Sequence, residues 1–266
     1  MRIIVKKIRT SRKYRGMDLP EETVRDLIWQ EYKRYGKKSK AVQSAKAKLH
    51  NITAPYLGDP DYEEAERKMT IAFEEGKASI EQFCLEILGK HDSTWERLPY
   101  LESFYKAIFS VCPAPEHILD LACGLNPFAL PFMGIPENCA YLAYDIHRPR
   151  IELINKFLRR LGRDPVAEVR DVNLDPPDIP ADAAFLFKEA HRMEKRRPGA
   201  SRDLIRSLDA RFIFLSLPNR SLDGRRNLSA RMGELAGEVL GGIGSGIREI
   251  PFPGETIYWT VKTDAP

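Results

Sequence analysis

The sequence predicts an α/β protein in which a helical N-terminal domain precedes a doubly wound, mostly parallel sheet that ends in an antiparallel hairpin. Up to about residue 110, apolar residues recur at helical spacing. After residue 113, short apolar runs alternate with helical patterns, and the last two runs flank the turn signal Pro253-Gly254-Glu255. We therefore predict a helical domain at 1–110 and an α/β domain at 111–266.

The first part of the helical region is strongly basic. Pro20 starts a helix with an apolar stripe at Val24, Leu27 and Ile28, and a second helix follows from Lys37. Residues 1–50 contain 15 Lys and Arg against 5 Asp and Glu, whereas the other 216 residues contain 27 against 33. This asymmetry indicates a segment that binds a polyanion, although a solvated helix face would show the same charge.

Three more helices are predicted before residue 110. Two of them occupy 61–75 and 77–89. Ser93-Thr-Trp-Glu96 has the spacing of a capping box, which predicts that the third helix starts there and continues through Leu98, Leu101 and Tyr105.

Composition excludes several classes of protein. No stretch reaches the roughly 18 apolar residues of a membrane-spanning helix, and the first residues lack the apolar run of a signal peptide. We therefore expect a cytoplasmic protein with no membrane partner. The cysteines have no zinc-ligand spacing, so we expect buried thiols and no metal site. They are Cys84, Cys112, Cys123 and Cys139.

Seven apolar runs predict the strands of the sheet. Five of them predict parallel strands, at His117–Cys123, Ala140–Asp145, Val166–Val172, Ala183–Phe187 and Arg211–Leu217. Helical patterns such as 150–161 and 201–207 separate most of these runs. The runs Gly246–Phe252 and Thr256–Lys262 predict the terminal hairpin.

Polar residues stand at the ends of the first four predicted strands. Because the carboxyl ends of parallel strands bind the ligands of doubly wound sheets, we expect these residues to form one site. Gly124 lets the backbone turn sharply, and Asp120 either holds a ligand ammonium group or braces the loop. Asp145, 21 residues after Gly124, is placed to accept hydrogen bonds from two ribose hydroxyls. Asp171 is placed to meet an adenine amino group, and Lys188 lies at the mouth of the site.

The loop after the first strand favours S-adenosylmethionine over a dinucleotide. The fingerprint Gly-x-Gly-x-x-Gly is missing, and one glycine followed by Pro127 does not build a pyrophosphate cradle. S-adenosylmethionine has no phosphate. The terminal hairpin is typical of class I methyltransferases, whereas a dinucleotide dehydrogenase usually continues in parallel. We therefore expect a class I (Rossmann-like) methyltransferase, with a nicotinamide-dependent dehydrogenase as the weaker alternative.

Several motifs resemble the aminoglycoside-resistance 16S rRNA methyltransferases that act on guanine N7 in the decoding A site (conventionally guanine 1405). The most specific are Asp120-Leu-Ala-Cys-Gly-Leu-Asn-Pro127 and Tyr144-Asp-Ile-His147, and His91-Asp-Ser-Thr-Trp-Glu-Arg-Leu98 and Ser216–Arg225 add to them. The resemblance runs from about residue 11 to the C-terminus. It implies that the protein uses S-adenosylmethionine, confers aminoglycoside resistance and docks on the assembled 30S subunit through its basic N-terminal domain.

The resemblance also implies roles for individual residues. Thr94 and Arg97 are expected at the methionine carboxylate, which a guanidinium pairs with bidentately. The full set expected at the cofactor is Thr94, Arg97, Asp120, Ala122, Gly124, Asn126, Asp145, Ile146, Asp171, Val172 and Lys188. Lys188, Arg220 and Ser221 are expected to position the target base. The candidates for rRNA contacts are Lys13, Lys37, Lys38, Lys40, Lys46, Lys48, Arg220 and Arg225.

Methylation of guanine N7 needs no general base, because the attacking lone pair lies in the ring plane and no proton leaves. We therefore expect no catalytic histidine, and we assign His147 and His191 to surface or loop roles. Two segments depart from the family: Glu189–Glu194 replaces Leu-Leu-Pro-x-Leu-Glu, and Asp223 replaces a glycine. They leave open methylation of another rRNA position or another RNA, or a catalytically silent RNA-binding protein.

Overall fold

The computed structural model describes residues 1–53, 59–221 and 225–263, which form twelve α-helices and a seven-stranded sheet. The helices before the sheet are α1 (Arg2–Arg9), α2 (Glu21–Tyr35), α3 (Lys38–Thr53), α4 (Tyr62–Glu75), α5 (Lys77–Leu88), α6 (Asp92–Trp95) and α7 (Leu101–Val111). The later helices are α8 (Leu130–Met133), α9 (Arg148–Arg160), α10 (Ala190–Arg196), α11 (Ala200–Ser207) and α12 (Ser229–Leu240).

The sheet has the predicted parallel core and antiparallel hairpin. Its strands are β1 (His117–Leu121), β2 (Ala140–Asp145), β3 (Glu168–Val169), β4 (Ala181–Phe187), β5 (Ala210–Pro218), β6 (Arg248–Pro251) and β7 (Glu255–Val261). Their order is β3-β2-β1-β4-β5-β7-β6, and β7 runs antiparallel to both neighbours. Asp120 of β1 pairs with Ala143 of β2 and Phe185 of β4, so the carboxyl ends of these strands lie side by side.

Apolar side chains cover both faces of the sheet, as a parallel core requires. One face packs against α4, α5, α7, α8 and α9 through residues such as Phe104, Phe128 and Phe157. The other packs against α10, α11 and α12 through residues such as Leu204 and Val239.

A separate hydrophobic cluster joins α1, α2 and α3, with Val24, Leu27 and Ile28 at its centre, which confirms the predicted stripe of α2. Ile146, which follows β2, packs against this cluster. Helices α4, α5 and α7 thus pack against the sheet, whereas α1, α2 and α3 form a hydrophobic core of their own. The boundary at residue 110 between the two domains stays a prediction.

The predicted capping box is wrong. His91 is the N-cap, because its ring Nδ1 accepts a hydrogen bond from the backbone N–H of Ser93. The helix that begins there ends at Trp95, a short 3-10 turn containing Pro99 follows, and α7 starts only at Leu101. Proline has no N–H for a continuous helix, which explains the break.

The third strand is shorter than the predicted run Val166–Val172. The backbone of Ala167 pairs with the side chain of Asn155 on α9 instead of with β2. At the other end, the carboxylate of Asp171 accepts the N–H of Asn173 and turns the chain. Only Glu168 and Val169 remain in the sheet.

The four cysteines are free and buried, as predicted. Within the described ranges, no helix has the length and apolar character needed to cross a membrane. The same residues bring no three His, Cys, Asp or Glu side chains together in a way that would hold a metal ion.

Candidate functional site

A cavity opens at the carboxyl ends of β1, β2 and β4, where the strand-end pattern predicts a site. Its volume is about 860 Å³, counting its open mouth. Ten of the eleven expected cofactor residues line it: Thr94, Arg97, Ala122, Gly124, Asn126, Asp145, Ile146, Asp171, Val172 and Lys188. The exception is Asp120.

The loop after β1 turns tightly along the cavity wall. Ala122 and Gly124 both have left-handed backbone angles, with φ of 52° and 55°. The N–H of Gly124 donates to Asp145 Oδ2 at 3.0 Å, and the N–H of Cys123 donates to the Tyr144 carbonyl at 2.8 Å. A side chain at position 124 would be strained by this φ whatever the space around it, so the glycine follows from the turn.

Asp120 braces this loop from beneath, which is the second of the two roles predicted for it. It is 1% exposed, and its Oδ2 accepts hydrogen bonds from the Tyr141 hydroxyl at 2.5 Å and from Asn126 Nδ2 at 3.0 Å. Burial raises the pKa of Asp120 to about 7.

Asp145 is held in place at the end of β2 by three donors. Its Oδ1 accepts the N–H of His147 at 2.9 Å, and its Oδ2 accepts the N–H of Gly124 and Nη1 of Arg150, the latter at 3.1 Å. The buried Arg150 also forms an ion pair with Asp59, in the segment between α3 and α4. Asp145 therefore lies in the cavity wall with a fixed orientation.

Asp171, which follows β3, is held in the same manner. Arg196 Nη1 lies 2.9 Å from its Oδ1 and 2.7 Å from its Oδ2, and the hydroxyl of Thr23 donates to Oδ2 at 2.8 Å. Arg196 Nη2 also donates to Asp26 at 3.1 Å. Thr23 and Asp26 belong to α2, so a helix of the N-terminal segment contacts this side of the site.

Arg97 occupies the opposite end of the cavity but already has a carboxylate partner. Its Nε and Nη2 each lie 2.8 Å from Glu255, and its Nη1 donates to Asn126 Oδ1 at 2.9 Å. Glu255 therefore takes the bidentate position on Arg97 that the sequence analysis expected for the carboxylate of the cofactor. Although burial alone raises the pKa of the Glu255 carboxyl, Arg97 lowers it below its ordinary value. The guanidinium of Arg97 also lines the cavity.

Lys188 and Thr94 complete this end of the site. Lys188 is 5% exposed, has a φ of 54°, and places its Nζ 2.6 Å from Glu96 and 3.8 Å from Glu255. The hydroxyl of Thr94 donates to the carbonyl of His91 at 3.0 Å. His91 lines the cavity, and burial lowers its pKa to about 3, so its ring is neutral.

The segment that departs from the family forms part of the cavity wall. Glu189, Arg192 and Met193 line the cavity. Burial raises the pKa of Glu189 to about 7. Glu194 lies elsewhere, where it accepts the N–H groups of Gly199 and Ser201 before α11.

Neither histidine considered as a base lines the cavity. His147 is buried rather than exposed, and its ring Nδ1 accepts the N–H of Arg150 at 3.3 Å, so it caps α9. Burial lowers the pKa of His147 to about 4 and that of His191 to about 3.

The expected rRNA contacts fall into two groups. Five lysines are exposed on the loop after α1 and around α3, namely Lys13, Lys37, Lys38, Lys40 and Lys46. Lys48 differs, because its ammonium group pairs with the buried Glu31 at 2.8 Å and donates to the Arg196 carbonyl at 3.1 Å. It joins α2, α3 and α10 and is not a free phosphate ligand.

The loop after β5 carries the other expected RNA contacts and lies beside the cavity rather than in its wall. Arg220 forms a bridge with Asn227, and the N–H of Ser221 donates to the Arg226 carbonyl at 3.0 Å. Arg220 and Arg225 are exposed. Asp223 lies outside the described residues.

The residues of the site that the sequence patterns missed include His91, Arg150, Arg192, Arg196 and Glu255. The four that line the cavity lie on helices or caps rather than at strand ends. Glu255 was assigned to the hairpin turn, but it is the first residue of β7 and is fully buried. A turn signal carries no information about such burial.

Known proteins match both the sequence and the structure. The model of the family described as ribosomal RNA methyltransferase (FmrO) matches residues 10–238. A 16S rRNA (guanine(1405)-N(7))-methyltransferase of Frankia casuarinae is 36% identical over 194 residues, which is 71% of this chain and 68% of that protein. One from Serratia marcescens is 34% identical over 218 residues, 82% of this chain and 80% of that protein.

Among solved structures, the 16S rRNA methyltransferase RmtF in complex with S-adenosyl-L-homocysteine has a TM-score of 0.82 at 26% identity, with 98% of each chain covered. An rRNA methylase from Escherichia coli has a TM-score of 0.77 at 27% identity, covering 98% of this chain and 99% of that one. The family match spans most of the sequence and includes the whole wall of the cavity. The chain therefore belongs to the family of ribosomal RNA methyltransferases.

Proposed function

We propose that this protein transfers a methyl group from S-adenosylmethionine to N7 of guanine 1405 in the decoding A site of 16S rRNA. We further propose that it acts in the cytoplasm on the assembled 30S subunit and thereby confers aminoglycoside resistance. The observation that carries the proposal is the cavity in which ten expected cofactor residues meet, in a chain whose relatives are named for this reaction.

The residues of the cavity fit S-adenosylmethionine. Fixed carboxylates at Asp145 and Asp171 suit the ribose hydroxyls and the adenine amino group. At the other end, the guanidinium of Arg97, which lines the cavity, suits the carboxylate of the amino-acid part. When bound, this cofactor supplies an electrophilic methyl group on a positively charged sulfur.

The chain's own contribution to the reaction is positioning. Because N7 attacks through an in-plane lone pair, no proton leaves the base, and neither a general base nor a metal ion is required. The rate then depends on holding N7 in line with the methyl–sulfur bond. We assign this task to Lys188 in the cavity wall and to Arg220 and Ser221 on the loop after β5. His91, which lines the cavity, has a neutral ring and so adds no positive charge to the cavity wall.

Access to N7 requires a local change in the RNA structure. N7 lies in the deep, narrow major groove of an A-form helix, so the base must leave its stack at a cost of a few kcal/mol. Phosphate contacts offset this cost. We assign those contacts to the exposed lysines Lys13, Lys37, Lys38, Lys40 and Lys46, and to Arg220 and Arg225 beside the cavity.

Helix α2 offers a surface for the displaced bases. Trp29 is 48% exposed and Tyr32 is 40% exposed, with their rings stacked 6.1 Å apart. Lys33 Nζ lies 5.3 Å from the Trp29 ring. Aromatic rings beside cations stack unpaired bases without sequence preference, which supports docking of this helix on the subunit.

The test is methyl transfer from labelled S-adenosylmethionine to purified 30S subunits, with the modified nucleotide mapped by chemical cleavage at N7-methylguanine. We expect label at guanine 1405, more label on subunits than on naked rRNA, and no label with Asp145→Ala. Label at another base would retain the enzyme class and move the target. Cofactor binding in calorimetry without label on any RNA would favour the catalytically silent alternative.

A further inference from the structure

Two carboxylates in the cavity wall are each connected to the N-terminal segment by a buried arginine. Asp145 is joined to Asp59 through Arg150, and Asp171 is joined to Asp26 through Arg196. Neither Asp26 nor Asp59 lines the cavity. The same arrangement therefore occurs twice, between residues that face the ligand and residues that lie outside its reach.

Helices α2 and α3 hold both the side chain and the backbone of Arg196. Its guanidinium contacts Asp26 of α2 at 3.1 Å, and its backbone carbonyl accepts a hydrogen bond from Lys48 of α3 at 3.1 Å. Lys48 is in turn paired with Glu31 of α2, which is 1% exposed. Helix α10 therefore ends against a framework that the N-terminal helices provide.

Arg196 in turn determines the orientation of Asp171. One nitrogen contacts both carboxylate oxygens, at 2.9 and 2.7 Å, and Thr23 of α2 contacts one of them at 2.8 Å. Charge-assisted hydrogen bonds of this length are among the strong ones in proteins. A carboxylate held in this way meets its ligand without first losing rotational freedom, which is how residues behind a binding site raise its affinity.

We propose that Arg196 is a positioning residue through which Asp26 of α2 sets the affinity of the cofactor site. The inference rests on the proposed function, because it takes Asp171 to be a cofactor contact. It assigns the N-terminal helices a second task besides docking on rRNA. By reciprocity, a ligand that moves α2 changes cofactor affinity, and the cofactor changes the affinity for that ligand by the same factor.

Asp26→Asn is the decisive variant, because it removes one of the two carboxylates that pair with Arg196, and Asp26 itself does not line the cavity. We expect the Kd for S-adenosylmethionine, measured by calorimetry, to rise about fivefold or more. The conservative variant Asp26→Glu should restore most of the affinity. Lys48→Met, which releases the Arg196 carbonyl, should weaken binding in the same direction.

The matched control is Asp18→Asn. Asp18 also joins the N-terminal segment to the rest of the chain, through Arg148 at 2.6 Å, but this pair is half exposed and lies away from the cavity. We expect Asp18→Asn to leave the Kd for S-adenosylmethionine unchanged. The melting temperature of Asp26→Asn should match that of the control.

Three outcomes would overturn the inference. In the first, Asp26→Asn binds the cofactor as tightly as the wild type. In the second, Asp26→Asn and the control Asp18→Asn lose affinity equally. In the third, Asp26→Glu binds no more tightly than Asp26→Asn. The last two outcomes would mean that the contact between Asp26 and Arg196 only helps the N-terminal helices to pack against the rest of the protein. If the wild type itself fails to bind S-adenosylmethionine, the proposed function fails first, so the two failures are distinguishable.

Discussion

Arg97 and Glu255 form a buried, bidentate ion pair between residues 158 positions apart in the chain. Their side chains are 2% and 0% exposed. The Arg97 guanidinium also lies 4.1 Å from the centre of the Phe104 ring. This pair connects the segment before α7 to the first residue of β7, directly under the cavity.

Glu255→Gln should destabilise the protein strongly. The amide keeps the shape of the side chain but leaves the Arg97 charge buried without its counter-charge, which typically costs about 3–5 kcal/mol. Urea denaturation measures the change in the free energy of unfolding. Glu249→Gln on the exposed side of β6 is the control, with an expected change within about 0.5 kcal/mol. A similar small change in both variants would contradict the role of the pair.

Asp120→Asn should change the pH dependence of stability. The folded state raises the pKa of Asp120 to about 7, whereas an unfolded Asp has a pKa of about 3.9. Between these values the folded protein holds a proton that the unfolded chain has lost, so the contribution of Asp120 to the free energy of unfolding falls as pH rises.

We therefore expect the stability of Asp120→Asn relative to the wild type to rise between about pH 4 and about pH 7, because the amide does not titrate. Denaturation of both proteins across this range gives the difference in unfolding free energy. A difference that stays constant with pH would show that Asp120 is ionised throughout.

Reversing the charge of Lys37, Lys38, Lys40 and Lys46 together should abolish methylation while leaving the Kd for S-adenosylmethionine unchanged. These lysines are exposed and away from the cavity, so only the phosphate contacts are lost. The salt dependence of subunit binding should weaken by about one unit of log–log slope for each contact removed. Reversal of Lys77 and Lys106, exposed elsewhere, is the control and should have little effect. A loss of cofactor affinity in the quadruple variant would contradict the assignment.

Glu189 should make the site distinguish a charged ligand from a neutral one in a pH-dependent way. Burial raises the pKa of Glu189 to about 7, so its carboxylate forms as pH rises through that value. The carboxylate attracts the sulfonium of S-adenosylmethionine but not the neutral thioether of S-adenosylhomocysteine. The ratio of the two affinities should therefore rise with pH in the wild type and stay flat in Glu189→Gln. Equal pH dependence in both proteins would remove Glu189 from this role.

The strand-end residues of the site were predictable because the geometry of a parallel sheet brings them together. Asp145, Asp171 and Lys188 are far apart in sequence, yet all three line the cavity. The rule that ligands bind at the carboxyl ends of such strands needs only the strand boundaries. Even the short β3, which was predicted too long, left Asp171 in the right place.

The arginines of the site were not predictable, because tertiary packing decides their partners. Arg150 and Arg196 lie on helices, and their partners Asp59 and Asp26 are 91 and 170 positions away. Nothing in a helical arginine distinguishes one that is exposed from one that is buried against a carboxylate. Lys48 was wrongly expected to be free for rRNA, because its place on a very basic helix does not reveal that it pairs with the buried Glu31.

The position of β7 determines the order in which the molecule can fold. β7 is the last strand along the chain, yet it lies inside the sheet between β5 and β6. A compact intermediate that lacks β7 would bury Arg97 without Glu255 and leave β6 with no neighbour, so such a state is unfavourable. We therefore expect β6 and β7 to join the sheet together as one hairpin, so that Glu255 reaches Arg97 in the same step.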